Sequence, residues 1–392
     1  MSVLGNEMEK KKVLLITRLD LIGFSRLPQV LHTAGCHVTL LSPAGLAIGS
    51  TRFVDEHILA PATSPALINQ FKAHLAERGD QYDLVIIGDE TLLHEIAQQR
   101  GEDWLDACFP VNHRSRAVDL ITSKFEFLQA AADSGLSVPE FQICQTLIKA
   151  EQVAASYGYP VVLKLASGFA GSGVRVVKTS TELTSNYNEM SAGQSVAVQR
   201  FATGRLGTTE VLFDHGKPIC WASYYILQGW PTIFTSSCVR EVMAHRDIES
   251  LVTGIGSLTG FHGLGGVDWI HDLSADSLEL IEFNPRPAPG YREGRLAGVS
   301  FSAGVRAMLN GAPVVQRPSS AGRKVIMFPQ AIYRAVDDRD LWLLIRALKD
   351  LPWNDPLLAM AHLRRICSHY LPVRLRQWVK SLRGRSVKGM EA

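Results

Sequence analysis

Apolar and polar positions change period several times along this chain, and each change marks an element. Residues 11–17, KKVLLIT, form a short apolar run of the kind buried on both faces of a parallel sheet. A helical stretch over 27–33 ends at Gly35 and leads into a second strand, HVTLLSP. A Pro/Ser-rich stretch near 61–65 precedes an amphipathic segment over 66–78 and a third strand, DLVIIGDE, at 83–90. This β-α-β-α-β order predicts an open, doubly wound parallel sheet. No G-x-G-x-x-G follows the first strand, so the dinucleotide fingerprint is absent. Arg18, Asp20, Asp89 and Glu90 fall at strand C-terminal ends, where such sheets bind ligands, yet each taken singly reads more simply as a loop charge.

The pattern then shifts. SKFEFLQAAADSG predicts a helix, with Ser123 and Glu126 at capping-box spacing, Gly135 to end it and Pro139 to stop any continuation. EQVAASYGYPVVLKLASGFAGSGVRVV reads as helix, turn, strand, glycine loop and strand, and SVAVQRF adds another strand. TEVLF and PICWASYY are joined by DHGK, a hairpin-like turn. GGVDWIHDLSADSLELIEFN is two strands around a polar turn. From about residue 314 a short strand, KVIMF, gives way to helical stretches and a basic tail, where residues 361–392 hold eight Lys/Arg against the single acid Glu391.

At 392 residues the chain is long for one core and suggests two or three domains. With 46% hydrophobic and 20% charged residues it is not a disordered chain. A net charge of +2 gives no reason to expect nucleic acid as the main partner. The start, MSVLGNEMEKKK, lacks a secretory pattern, and no uncharged apolar run is long enough to be a transmembrane segment. The six cysteines are scattered without a C-x-x-C pair, which argues against a zinc site or disulfide framework and for a cytoplasmic setting.

Two places carry candidate chemistry. Lys164 lies in an apolar strand, a poor place for an unpartnered charge, and Gly171-Ser172-Gly173 follows it. Glycines between strands let backbone N–H groups approach phosphate oxygens, although a plain glycine-rich hairpin fits this stretch equally well. The stronger element is Glu282-Phe283-Asn284-Pro285-Arg286. Residues two apart on a strand share a face, so Glu282 and Asn284 present two oxygen ligands together, and Asp268 on the partner strand can join them. Such an oxygen cluster suits Mg²⁺ bridging phosphates, and Arg286 at the strand end is placed to hold developing charge.

The whole series, Lys124, Lys164, the 171–173 loop, Gln199, Asp268, Glu282, Asn284 and Arg286, resembles the ATP-grasp superfamily over roughly residues 115–300. The resemblance implies that Lys124 and Lys164 touch ATP phosphates and that Gly171, Ser172 and Gly173 fold over them. It also implies that AVQRFATG is the linker strand that reads adenine through Gln199, Arg200 and Phe201. Asp268, Glu282 and Asn284 then hold Mg²⁺, or Mn²⁺ in its place. Leu206 stands where the family has an acid after the linker, which makes Glu210, the next acid along, the candidate nucleotide contact. Arg286 becomes the catalytic cation, with Arg292 and Arg295 beside it as candidates for an anionic substrate group.

The implied architecture is α/β: a doubly wound domain over 1–115, an ATP-grasp module over 116–313 with a lid at about 145–200, and a mainly helical appendage over 314–392. The implied reaction is phosphorylation of a small-molecule carboxylate by ATP and its coupling to an amine. Carboxylation through carboxyphosphate and a non-catalytic nucleotide-binding regulator are the alternatives. A homodimer stays open.

Overall fold

The computed structural model describes residues 10–21, 24–165, 173–191, 195–233, 235–312 and 315–371. The first apolar runs form a four-stranded parallel sheet from β1 (Lys12–Ile16), β2 (His37–Ser42), β3 (Glu56–Leu59) and β4 (Leu84–Ile87), in the order β3-β2-β1-β4. Val13, Leu14, Leu15 and Ile16 are all buried, because β1 is central and covered on both faces. The pattern did not single out β3, a four-residue edge strand that is only half-buried. Asp89 ends the loop after β4 and caps the helix Glu90–Ala97, accepting from the Leu92 N–H at 2.8 Å and from the Arg18 N–H at 2.8 Å.

The second sheet is antiparallel. It comprises β5 (Phe141–Cys144), β6 (Val161–Leu165), β7 (Val174–Val177) and β8 (Val196–Arg200), in the order β5-β8-β6-β7. Helices Leu147–Tyr157 and Ser180–Met190 pack on it, and Val153, Leu163, Val177, Leu183 and Val198 form a core of its own. That separate core makes this lid-like unit a distinct body, beginning at Phe141. Gly171 and Ser172 of the expected phosphate loop lie outside the described residues, as does the basic tail from residue 372.

The third sheet has six strands: β9 (Arg205–Asp214), β10 (Lys217–Trp230), β11 (Ser236–Met243), β12 (Gly263–Asp272), β13 (Ser277–Asn284) and β14 (Lys324–Ile326), in the order β13-β12-β9-β10-β11-β14. His215 (φ 46°) and Gly216 (φ 83°) make the two-residue turn from β9 to β10. A Cβ at Gly216 would stand 2.5 Å from the Gly256 carbonyl oxygen, so the turn fits against helix Ile248–Thr259 only as glycine. One core joins Leu14, Ile16, Phe71 and Ile96 of the first domain to Phe213, Trp269 and Phe283; a second joins Val13, Leu15 and Val38 to Leu212, Tyr224 and Phe301.

The chain beyond 314 is not wholly an appendage. β14, the KVIMF strand, is the edge of the central sheet, with Val239 opposite Ile326. Helices Gln330–Asp337, Leu341–Lys349 and Pro356–Tyr370 then build a small core from Phe328, Ile332, Leu343, Ala347 and Ile366 against Cys238 and Val239. Among the described residues no helix is long and apolar enough to cross a membrane. The last helix also reaches back to the first domain. The His362 Nε2 and Ser25 Oγ are 2.8 Å apart, Asp355 accepts from the Thr51 hydroxyl, and Arg365 pairs with Asp20.

His362 gives this closure a pH dependence. Burial, with Arg26 nearby, lowers its pKa from the ordinary 6.5 to about 4. The unfolded chain therefore takes up the proton first as pH falls, so this group's contribution is full above about 6.5 and is lost progressively toward 4, at most about 3 kcal/mol. His262, lowered to about 4 by burial and by His215, acts in the same window. In thermal unfolding at pH 7 and pH 5, His362→Gln is expected to shrink the difference in Tm between the two conditions; an unchanged difference would show that His362 is not a source of the acid sensitivity.

Candidate active site

The cleft lies between the lid sheet and the central sheet, with a volume of about 490 Å³, within the range of small-molecule sites. Its lid wall comes from period-two alternation in β6: Val161 and Leu163 enter the lid core, so Val162 and Lys164 face the cleft. Gln199 and Arg200 at the end of β8, followed by Phe201, also line it, as does Gly173.

The opposite wall is the β12–β13 hairpin. On β12, Val267 and Trp269 are in the core while Gly266, Asp268 and Ile270 line the cleft. On β13 the phase changes. Asp268 is opposite Glu282 but Trp269 is opposite Leu280, so Ile281 is an extra residue, a β-bulge. Leu278 and Leu280 point into the core before it; after it, Phe283 does, and Glu282 and Asn284 turn to the cleft.

Charges meet here at short range. The Lys124 Nζ is 2.7 Å from the Glu282 Oε1 and 3.9 Å from the Glu90 Oε1. Burial opposes the Lys124 charge, but Glu282 and Glu90 outweigh it and raise the pKa. Among the described residues Lys164 has no such close partner: enclosure of its ammonium is the largest influence, Lys124 adds repulsion, and its pKa falls to about 8 despite Glu282 and Asp268. Asp268 is pushed up to about 6, first by burial and then by the Glu282 charge. The Asn284 Nδ2 donates to the Asp268 Oδ2 at 3.2 Å, and the Arg286 Nε is 3.5 Å from the Glu90 Oε2. Lys124, Lys164, Asp268, Glu282, Asn284 and Arg286 thus line one cleft.

Two expected contacts lie elsewhere. Glu210 is 0% exposed and does not line the cleft; its Oε1 accepts from the Arg240 Nη1 at 2.5 Å. It shares a face of β9 with Leu206 and Thr208, which do line the cleft, but Arg240 lies over its carboxylate and keeps it from a ribose. Gly290 closes the other side, where a Cβ would stand 2.2 Å from the Glu210 Oε1. Arg292 is not at the cleft either: its Nη1 is 3.0 Å from Glu293 and 3.1 Å from Asp350, and the 3₁₀ turn Tyr291–Ala297 carries it away, with Arg295 exposed.

Two residues of the cleft were not anticipated. Glu90 read as a loop charge, although its position just past β4 at the carboxyl end of a parallel sheet was a signal in its favour. Arg240 on β11 lines the cleft and is only 3% exposed. Its one trace in the sequence is a charge within the strand-like SSCVREVM, matched by Glu210 within TEVLF. Of the other loop charges, Asp89 and Asp20 serve structure, Asp20 accepting from the Ala47 N–H at 2.8 Å.

A family model described as an ATP-grasp domain matches residues 121–290, which spans the lid sheet and the β12–β13 hairpin. The chain carries an ATP-grasp domain. Over 248 residues, 59% of this chain, it is 25% identical to the carbamoyl phosphate synthase large chain of Micrococcus luteus, and it spans only about a fifth of that relative's length (21%). Among solved structures it is similar to the biotin carboxylase domain of the Hydrogenobacter thermophilus 2-oxoglutarate carboxylase, crystallised with MgADP, ADP and bicarbonate, with a TM-score of 0.60 and 17% identity over 80% of this chain and 72% of that one. It is also similar to an L-amino acid ligase from Bacillus licheniformis, with a TM-score of 0.55 and 18% identity over 78% of this chain and 75% of that one. These likenesses show the fold.

The buried pair beneath the ATP-grasp cleft has a measurable consequence. Arg240→Ala leaves Glu210 charged and unpaired in the core and is expected to cost about 3–5 kcal/mol in urea unfolding. Replacing both residues with methionine should recover most of that loss. If the double variant were as unstable as Arg240→Ala, stranding of the Glu210 charge would not be the cause.

Proposed function

We propose that the chain is an ATP-dependent ligase that phosphorylates a substrate carboxylate and joins it to an amine, giving an amide, ADP and phosphate. The observation that carries this reading is the convergence of Lys124, Lys164, Asp268, Glu282, Asn284 and Arg286 on one cleft. ATP would lie with its phosphates between the two lysines and the β12–β13 wall, and with adenine toward Gln199, Arg200 and Phe201. Leu206 and Ile270 add apolar surface there. Gly173 stands at the lid side of the phosphates, with Gly171 and Ser172 preceding it in the chain.

Two carboxylates and an amide on neighbouring strands form an oxygen donor set suited to a hard divalent cation. Asp268, Glu282 and Asn284 would hold Mg²⁺, with Mn²⁺ as the alternative. When bound, the ion supplies positive charge against the phosphate oxygens. The chain's own groups do the rest. Lys164 and Lys124 hold the phosphates in both ground and transition states. Arg286 meets negative charge on the transferring phosphoryl group. The substrate carboxylate oxygen attacks the γ-phosphorus as ADP leaves; the amine nitrogen then attacks the acyl carbon, phosphate leaves, and the nitrogen loses its proton. Arg240, in place of Arg292, is the cation offered to an anionic group of the acceptor. Small-molecule substrates and a cytoplasmic setting go with this reading, a homodimer is compatible with it, and nucleic acid has no part in it.

Similarity to a biotin carboxylase domain and to carbamoyl phosphate synthase favours a second reading, in which bicarbonate is the carboxylate and carboxyphosphate the activated species. Product analysis separates the two. Incubation with MgATP and panels of carboxylates and amines is expected to release ADP and phosphate only when a pair is supplied; release driven by bicarbonate alone supports the carboxylase, and AMP with pyrophosphate contradicts both. Glu282→Gln removes a charge at nearly constant volume and is expected to lower turnover by about 100-fold or more with the melting temperature retained. Full activity in that variant at low magnesium would refute the metal assignment, and no turnover under any condition in the wild type would favour the non-catalytic regulator.

A further inference from the structure

The helices after the central sheet turn an apolar face to solvent. Helix Leu341–Lys349, LWLLIRALK, has only two polar residues, Arg346 and Lys349, and a helix apolar on all sides ordinarily lies inside a core. Here Leu343 and Ala347 are buried, while Leu341 (68% exposed), Trp342 (62%), Ile345 and Leu348 lie on the opposite face. Trp353 (72%) follows, and then Leu357 (56%) and Met360 on the outward side of helix Pro356–Tyr370, whose inward side buries Leu358, His362 and Ile366. A single exposed leucine is ordinary; seven large apolar residues in a span of twenty, two of them tryptophan, form a surface that something covers.

Beside this face the exposed bases Arg339, Arg346, Lys349 and Arg364 outnumber the exposed acids Asp337, Asp338 and Asp340. The Arg346 guanidinium lies 3.3 Å from the centre of the Trp342 ring, Lys349 follows Leu348, and Arg364 is exposed. The nearby acids are engaged elsewhere: Asp340 caps the helix, Asp338 pairs with Arg334, Asp337 accepts from Trp230 and Tyr370, Asp350 pairs with Arg26 and Arg292, and Asp355 binds Thr51.

We infer that this face docks the protein on an anionic lipid bilayer. Exposed tryptophan and leucine enter the boundary between headgroups and acyl chains, and flanking arginine and lysine meet lipid phosphates; together these are the two signals that stable interfacial binding requires. A second copy of the chain is the less suitable occupant, because a two-fold contact would bring this basic face against itself. The inference is independent of the reaction proposed above, since none of these residues lines the cleft.

Flotation of the full chain with vesicles tests it. Binding is expected to vesicles of equal parts phosphatidylglycerol and phosphatidylcholine, to be absent with phosphatidylcholine alone, and to weaken in about 0.5 M salt, where charges are screened within a few ångströms. The Trp342→Ala/Trp353→Ala variant is expected to lower vesicle partition by about tenfold or more with its melting temperature unchanged, because both rings are exposed. Absence of binding to anionic vesicles overturns the inference. So does a wild-type dimer that the double variant converts to monomer, which would make the face a contact between copies.

Discussion

Everything in the cleft depends on one extra residue in β13. Strict alternation from Leu278 and Leu280 would send positions 282 and 284 into the aromatic core beside Phe213 and Phe261, where an unpaired carboxylate is prohibitively costly. The bulge at Ile281 reverses the phase, so that Phe283 takes the core position and Glu282 and Asn284 face outward with Asp268. The result is a pair of carboxylates held in register on adjacent strands, in surroundings poor enough in water to push Asp268 up to about 6. Such a pair is stable only against positive charge. Lys124 supplies part of it through its 2.7 Å contact with Glu282, and the remainder is what a bound cation would bring.

The other parts of the fold hold that hairpin against its partners. The first domain shares two cores with the central sheet, and so places Glu90 within reach of both Lys124 and Arg286. The lid sheet has its own core and carries Lys164 on the face that closes the cleft. β14 and the last helices tie the sheet's far edge back to the first domain through His362, Asp355 and Arg365. Beneath the cleft, Glu210 and Arg240 cross-brace β9 and β11 across β10, which fixes the floor on which an acceptor would rest.

Much of this was legible in the sequence. The parallel strands announce themselves as unbroken apolar runs, and the EFNPR segment stands out because polar ligands follow an apolar strand. Even the bulge leaves a mark, since the neighbours Leu280 and Ile281 interrupt an otherwise alternating LELIEFN. What stayed hidden depends on tertiary packing. Glu210 and Arg240 are thirty residues apart and become partners only across β10, so Glu210 read as a nucleotide contact. Arg292 follows β13 closely in sequence, but the turn Tyr291–Ala297 carries it to Asp350. Glu90 needed a neighbouring domain to give it a role, and KVIMF is too short to show by itself that it completes a sheet begun a hundred residues earlier.

If the hairpin carboxylates and the two lysines form a single site for a nucleotide and its cation, binding of the two ligands must be interdependent. Thermal unfolding with a non-hydrolysable ATP analogue, in excess Mg²⁺ and again in EDTA, measures that directly for the wild type and for Asp268→Asn. The wild type is expected to gain several degrees in Tm only when nucleotide and Mg²⁺ are present together, and Asp268→Asn to lose most of that gain while Lys164 still supports weak metal-free binding. An equal gain in EDTA, or an undiminished gain in Asp268→Asn, would contradict the shared site.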